Sequence, residues 1–210
     1  MGSGFFKGFF MPFTLIHDAV MYVMVGVILL ATYLIIERSI FFAATLREGK
    51  DVVAFIRSHL HDKSLHGEIL EVFAKHKSPQ ALALCEVVKA AGEKHGHEQM
   101  EYIAQSIYVE KQPAVVARLW VLDTIITLSP LMGLMGTILG IIDAFYSLSS
   151  GSVAADPAAV SRGIGTALYA TGVGIFIALY AMLFFNYFNT KAEAITNQMK
   201  LITLTLLGAR

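Results

Sequence analysis

Two threonines, Thr137 and Thr171, are the residues in this chain best placed to do chemistry in apolar surroundings. Each lies inside a long apolar run among small neighbours, Gly136 and Gly140 for the first, Ala167, Ala170 and Gly174 for the second. A hydroxyl has one proton to donate and two lone pairs that accept, so it can meet either protonation state of a carboxyl group. It can also bond its own i−4 carbonyl and serve only as packing. The residues alone leave both roles open.

The ionisable groups narrow the chemistry. The middles of the apolar runs hold no Asp, Glu, His, Lys or Arg, although such residues are the usual carriers of a membrane proton relay. A proton path would therefore need a carboxylate from a partner helix. Asp123 lies fourteen residues before Thr137, close to four turns, and so within about 40° of the same helix face. It suits the inner exit of a pore, or an interfacial pair with Arg118 or Lys111. Asp143 is about 120° from Thr137 around the helix and reads as an outer-surface cap.

Other chemistries lack their residues. The pairs and triplets His59/His61/His66 and His95/His97 have no accompanying cysteines and no H-E-x-x-H spacing, so a zinc site is not expected. There is no phosphate loop, nucleophile elbow or carboxylate pair, and enzyme chemistry is not supported. Cys85 is the single cysteine, which rules out an intrachain disulfide and points to a structural thiol. Net charge is zero, with no basic patch for nucleic acid. No cofactor is expected.

The elements that must position the threonines are transmembrane helices. The 210 residues are 56% apolar and 15% charged, with a mean hydropathy of +0.62, too apolar for a soluble domain of this length. Between Glu37 and Arg118 fall eleven of the sixteen Lys and Arg and eleven of the sixteen Asp and Glu. Outside that block lie the charge-free runs Ala19–Ile36, Thr124–Ile142 and Gly163–Thr190. Each can supply the roughly 20 apolar helical residues that a bilayer core demands. The fold expected is an all-α membrane protein with three transmembrane helices and a helical cytoplasmic domain, the second and third helices extending into the cytoplasm.

Basic residues set the orientation. Only Lys7 precedes the first run, whereas Arg38, Arg47, Lys50 and Arg57 follow it, and Lys191, Lys200 and Arg210 follow the third. The N-terminus is therefore expected outside and the C-terminus in the cytoplasm. Glu37-Arg38 directly follows the first run, with no small-residue cleavage site, so the run is expected to be retained.

The expected organisation is an outer interfacial segment over 1–12, ended by Pro12, then a first span over 13–36 and a cytoplasmic domain over 37–118. The second span covers 119–148, a periplasmic loop 149–162, the third span 163–190 and a cytoplasmic helix 191–210. Within the polar block, 51–57, 67–75 and 80–89 place apolar residues at helical spacing, and Ser78-Pro79 reads as an N-cap before a first-turn proline. The block is expected to pack against copies of itself. From Glu98 to Trp120 the pattern predicts one long helix into the second span, with Pro113 as its kink or restart. Gly133, Gly136 and Gly140 on the second span, and Gly172 and Gly174 on the third, predict close helix packing.

The stretches Pro130-Leu-Met-Gly-Leu-Met-Gly-Thr-Ile-Leu-Gly-Ile-Ile-Asp-Ala-Phe145 and Gly163-Ile-Gly-Thr-Ala-Leu-Tyr-Ala-Thr-Gly-Val-Gly174, with Asn186 beyond, resemble the MotA/TolQ/ExbB proton-channel family, most nearly its ExbB/TolQ branch. The resemblance implies a pentameric ring around a pore lined by the second and third helices. It also implies an ExbD/TolR-like single-span partner bearing a membrane aspartate, and a TonB/TolA-like periplasmic transducer. Thr137 and Thr171 fall on the family's pore threonines. Thr166 stands where that branch usually has glutamate, and the usual proline of the third span is replaced near Tyr180; an added hydroxyl could suit sodium in place of the proton. A non-conducting membrane scaffold is the other reading.

Overall fold

The computed structural model describes residues 3–59, 72–73, 76, 78–92, 97–149 and 157–208. They form five helices: α1 (Ser3–His59), α2 (Pro79–Gly92), α3 (His97–Val116), α4 (Leu119–Ser149) and α5 (Pro157–Gly208). No strand occurs among the described residues. Three of the helices are long and apolar enough to cross a membrane, through the stretches Asp18–Ile56, Leu119–Tyr146 and Val160–Thr203. The fold is the all-α, three-span arrangement that the charge-free runs predict.

The chain divides into two compact units, one of residues 1–35 with 121–185 and the other of 36–120 with 186–210. In the first, α4 and α5 meet along a seam of small residues. A Cβ added to Gly140 would lie 2.7 Å from the Ala167 Cβ, one on Gly133 3.0 Å from the Ala170 carbonyl, and one on Gly174 2.5 Å from the Ser129 carbonyl. As the α4 numbers rise the α5 partners fall, so the helices are antiparallel. Without side chains between them the backbones approach closely, which supplies dispersion contact where lipid gives no hydrophobic drive.

In the second unit the buried positions of α1 are Arg38, Phe42, Thr45, Gly49, Val52 and Ile56, and those of α5 include Phe188, Ala192, Ile195, Met199 and Ile202. Both series step by four and three, the period of helices that interlock side chains along a shared seam. Phe42 stacks on Phe188 at 5.5 Å, and further along, Gly49 faces Gln198. The two helices therefore run parallel here. Val52, Ile56, Phe73, Leu84, Cys85, Val88 and Ile202 close an apolar core. Within the same chain, the C-terminal part of α5 supplies part of the apolar face against which the polar block packs.

Gln80 is wholly buried in this unit. Its Nε2 donates to the Thr45 carbonyl at 3.3 Å and to Gln198 Oε1 at 3.1 Å. Gly49 makes the approach feasible, since a Cβ there would sit 2.5 Å from both amide side chains. Ser78 caps α2 as its sequence predicts, its Oγ accepting from the Ala81 N–H at 3.4 Å. Lys111 Nζ pairs with Glu86 and Glu110, each at 2.8 Å, and hydrogen bonds to Glu110 and Glu86 hold its pKa above the usual lysine range. Burial pushes the Cys85 thiol up.

Three boundaries differ from the sequence reading. The first helix runs unbroken from Ser3 to His59, so Pro12 lies within it and no break separates 13–36 from the residues that follow. The expected single helix from Glu98 into the second span is broken at Ala117 and Arg118. Pro113 sits inside α3 without ending it. A proline removes the bond to the carbonyl four residues back and crowds it, and Val109, which carries that carbonyl, is an exposed residue. The chain instead turns where Arg118 adopts φ 66°, the left-handed residue that commonly closes a helix. The apolar stretch 67–75 lies almost wholly outside the described residues, as do the side chains of His59, His61, His66, His95 and His97.

Candidate ion pathway along the α4–α5 seam

The seam fixes which way the threonines point. Thr137 follows the seam residue Gly136, and Thr171 follows Ala170. One residue is about 100° of turn, and in two antiparallel helices the same offset past the seam swings both side chains to the same flank. Both are half-buried. Leu134 and Ile141 of α4, with Ile164, Leu168 and Ile175 of α5, share this flank and are exposed. The two hydroxyls are thus polar groups on an apolar surface.

Their bonds are specific. Thr171 Oγ1 donates to the Gly133 carbonyl on α4 at 3.0 Å, across the seam rather than back along its own helix. Gly133 permits this, because a Cβ there would press on the Thr171 Cα at 3.0 Å. Thr137 Oγ1 donates to the Leu134 carbonyl at 2.6 Å. Packing alone therefore accounts for Thr137 but not for Thr171, whose hydroxyl joins the two helices.

Asp123 falls on the same flank of α4 and is exposed. The cations considered as its partners are engaged elsewhere: Arg118 Nη1 lies 2.9 Å from Glu37 Oε1, and Lys111 pairs with Glu86 and Glu110. Thr166 is placed differently. It precedes the seam residue Ala167, which turns it to the opposite flank, about 140° from Thr171. Thr166 is exposed, and its hydroxyl donates to the Gly163 carbonyl at 2.9 Å. Gly133, Gly136, Gly140 and Gly174 all lie in the seam, whereas a Cβ on Gly172 would meet nothing within 4 Å. Gly172 is not a packing residue within this chain.

Two polar features escaped the sequence reading. Glu37 is shared by Arg38, through Nε at 2.9 Å, and by Arg118. Gln80 joins Gln198 within the second unit. The adjacent Glu37-Arg38 pair was a visible signal for the first; nothing local marks Gln80, which stands at a helix start where polar residues are ordinary. No group of His, Cys, Asp and Glu suited to a metal ion occurs among the described residues.

A three-span chain with a glycine seam and membrane threonines matches a known family model, the MotA/TolQ/ExbB proton channel family, over residues 64–201. The chain belongs to that family. Putative biopolymer transport protein ExbB-like 3 of Synechocystis sp. is 32% identical over 169 residues, covering 80% of this chain and 79% of the relative. Tol-Pal system protein TolQ of Haemophilus influenzae is 40% identical over 74 residues, 35% of this chain and 32% of that protein. A putative biopolymer transport protein ExbB homolog of Methanothermobacter thermautotrophicus is 27% identical over 135 residues, with 47% of its own length covered. This member of the MotA/TolQ/ExbB family is a multi-pass membrane protein of its ExbB/TolQ-like branch. Both threonines and the whole seam lie inside the matched stretch.

Proposed function

We propose that this chain is the stator-like, ion-conducting subunit of a bacterial inner-membrane motor. It forms a ring, a homopentamer, around an ExbD/TolR-like helix whose membrane aspartate carries the coupling ion, the proton or sodium. The ion-motive force then drives a TonB/TolA-like transducer in the periplasm. The observation that supports this most is the pairing of Thr137 and Thr171 on one flank of the seam, a surface with hydroxyls but no titrating group at their depth. Such a surface can steer a carboxyl without competing for its proton. Each charge crossing a 100 mV potential releases about 2.3 kcal/mol, so several ions accompany one mechanical step.

The test is co-expression with an aspartate-bearing single-span partner and reconstitution. Thr137→Ala and Thr171→Ala should each abolish coupled function while the complex still assembles. Near-normal activity in both variants overturns the assignment.

A further inference from the structure

The proposed pathway has a definite hydrogen-bond polarity. Each threonine hydroxyl owns one proton and two lone pairs, and both protons are already committed, Thr171's to the Gly133 carbonyl at 3.0 Å and Thr137's to the Leu134 carbonyl at 2.6 Å. What the flank offers a partner is therefore lone pairs. We infer that the Thr137–Thr171 flank is an acceptor-only site that holds the protonated, neutral form of a partner helix's carboxyl and rejects the ionised form.

This inference rests on the proposed function and deepens it by naming which protonation state docks. A carboxylic acid donates one proton and meets an acceptor directly. A carboxylate only accepts, so it must first pull a threonine proton off its carbonyl. For Thr171 that step leaves the Gly133 carbonyl without this donor and breaks a link between α4 and α5. Leu134, Ile141, Ile164 and Leu168 surround the pair with apolar surface, where an ionised group shut away from water is costly. The same hydroxyls that receive the neutral acid thus make its ionisation a reason to leave.

The experiment uses the full chain in liposomes with a synthetic single-span polyleucine probe helix carrying one central Asp, Asn or Leu. Binding is read by energy transfer from pH 5 to pH 10, and probe insertion is followed by the probe's own tryptophan fluorescence. The Asp probe should bind the wild type more tightly than the Leu probe at low pH. Thr137→Val, which keeps the cross-seam bond, and Thr171→Val should each weaken Asp-probe binding at low pH by about tenfold, leave high-pH binding unchanged and lower the binding midpoint by about one pH unit. The Asn probe, a neutral donor, should lose the same factor at every pH, and Thr171→Ser should behave as wild type. A midpoint that stays put or rises in both valine variants overturns the inference while the proposed function stands. An Asp probe that binds wild type no better than the Leu probe at any pH overturns both.

Discussion

Arg118 reaches across to Glu37, its Nη1 2.9 Å from Oε1, and ties the turn between α3 and α4 to α1. The same carboxylate holds Arg38, whose side chain is almost wholly buried and whose Nη1 has no partner among the described residues. Glu37 is thus the counter-charge for a buried guanidinium and the anchor for a backbone residue in the left-handed region.

Glu37→Ala should destabilise the protein by about 2 kcal/mol, because it leaves the buried Arg38 uncompensated; a fully buried pair would lose about 3–5 kcal/mol. Arg118→Gly should be nearly neutral, since relief of a left-handed backbone, worth about 1 kcal/mol, offsets loss of a half-exposed ion pair worth under about 1 kcal/mol. Thermal unfolding in detergent ranks the two. Equal destabilisation by both would show that the ion pair, rather than Arg38 burial, dominates.

The seam glycines should separate by geometry. Gly174→Ala puts a methyl 2.5 Å from the Ser129 backbone carbonyl, which cannot swing aside, whereas Gly172→Ala meets open space. The first should cost about 1–3 kcal/mol as overpacking. The second should leave the stability of the isolated chain unchanged or slightly raised, because glycine is a poor helix former. Gly136→Leu, aimed at the Ala170 methyl 2.7 Å from its would-be Cβ, should also break the oligomer on a native gel.

Thr166 tests the coupling ion. Its position opposite Thr171 predicts that Thr166→Ala retains coupled activity, and that replacing sodium by potassium does not diminish force generation in the wild type. Loss of activity in potassium, rescued by sodium and abolished by Thr166→Ala, would instead assign this hydroxyl to a sodium path.

Cys85 is pushed up by burial, with Glu86 adding to the rise and Lys89 opposing it. Its folded pKa exceeds the unfolded one, so the neutral thiol's contribution to stability is whole below the free-thiol range near about pH 8.5. That contribution is lost as pH climbs through the folded value. A maleimide at pH 7 should therefore label Cys85 at least about tenfold more slowly in the native protein than in denaturant, because the reactive species is the thiolate. Equal labelling rates would refute a buried thiol.

Much of this was readable without coordinates. The Ala19–Ile36, Thr124–Ile142 and Gly163–Thr190 runs announced the crossings, and Ser78-Pro79 announced the start of α2, because length, charge and capping are local properties. Pro113 misled: it is the conspicuous helix breaker, yet the chain turns at Arg118, where no residue type signals it. The side chain at that turn pairs with Glu37, which is distant in sequence. Gln80 was silent for the same reason, as its partners Thr45 and Gln198 come from other helices.

By itself the sequence determined that three runs are long and apolar enough to cross a bilayer, that the second and third carry Thr137 and Thr171, and that no Asp, Glu, His, Lys or Arg lies within them. Hydrocarbon selects for composition, and composition is written in order along the chain. Only the tertiary structure decided that Thr137 and Thr171 share a flank, that Thr166 faces the other way and that the Thr171 proton goes to Gly133. Those outcomes depend on the rotational phase of one helix against its neighbour, set by where a missing side chain lets two backbones touch.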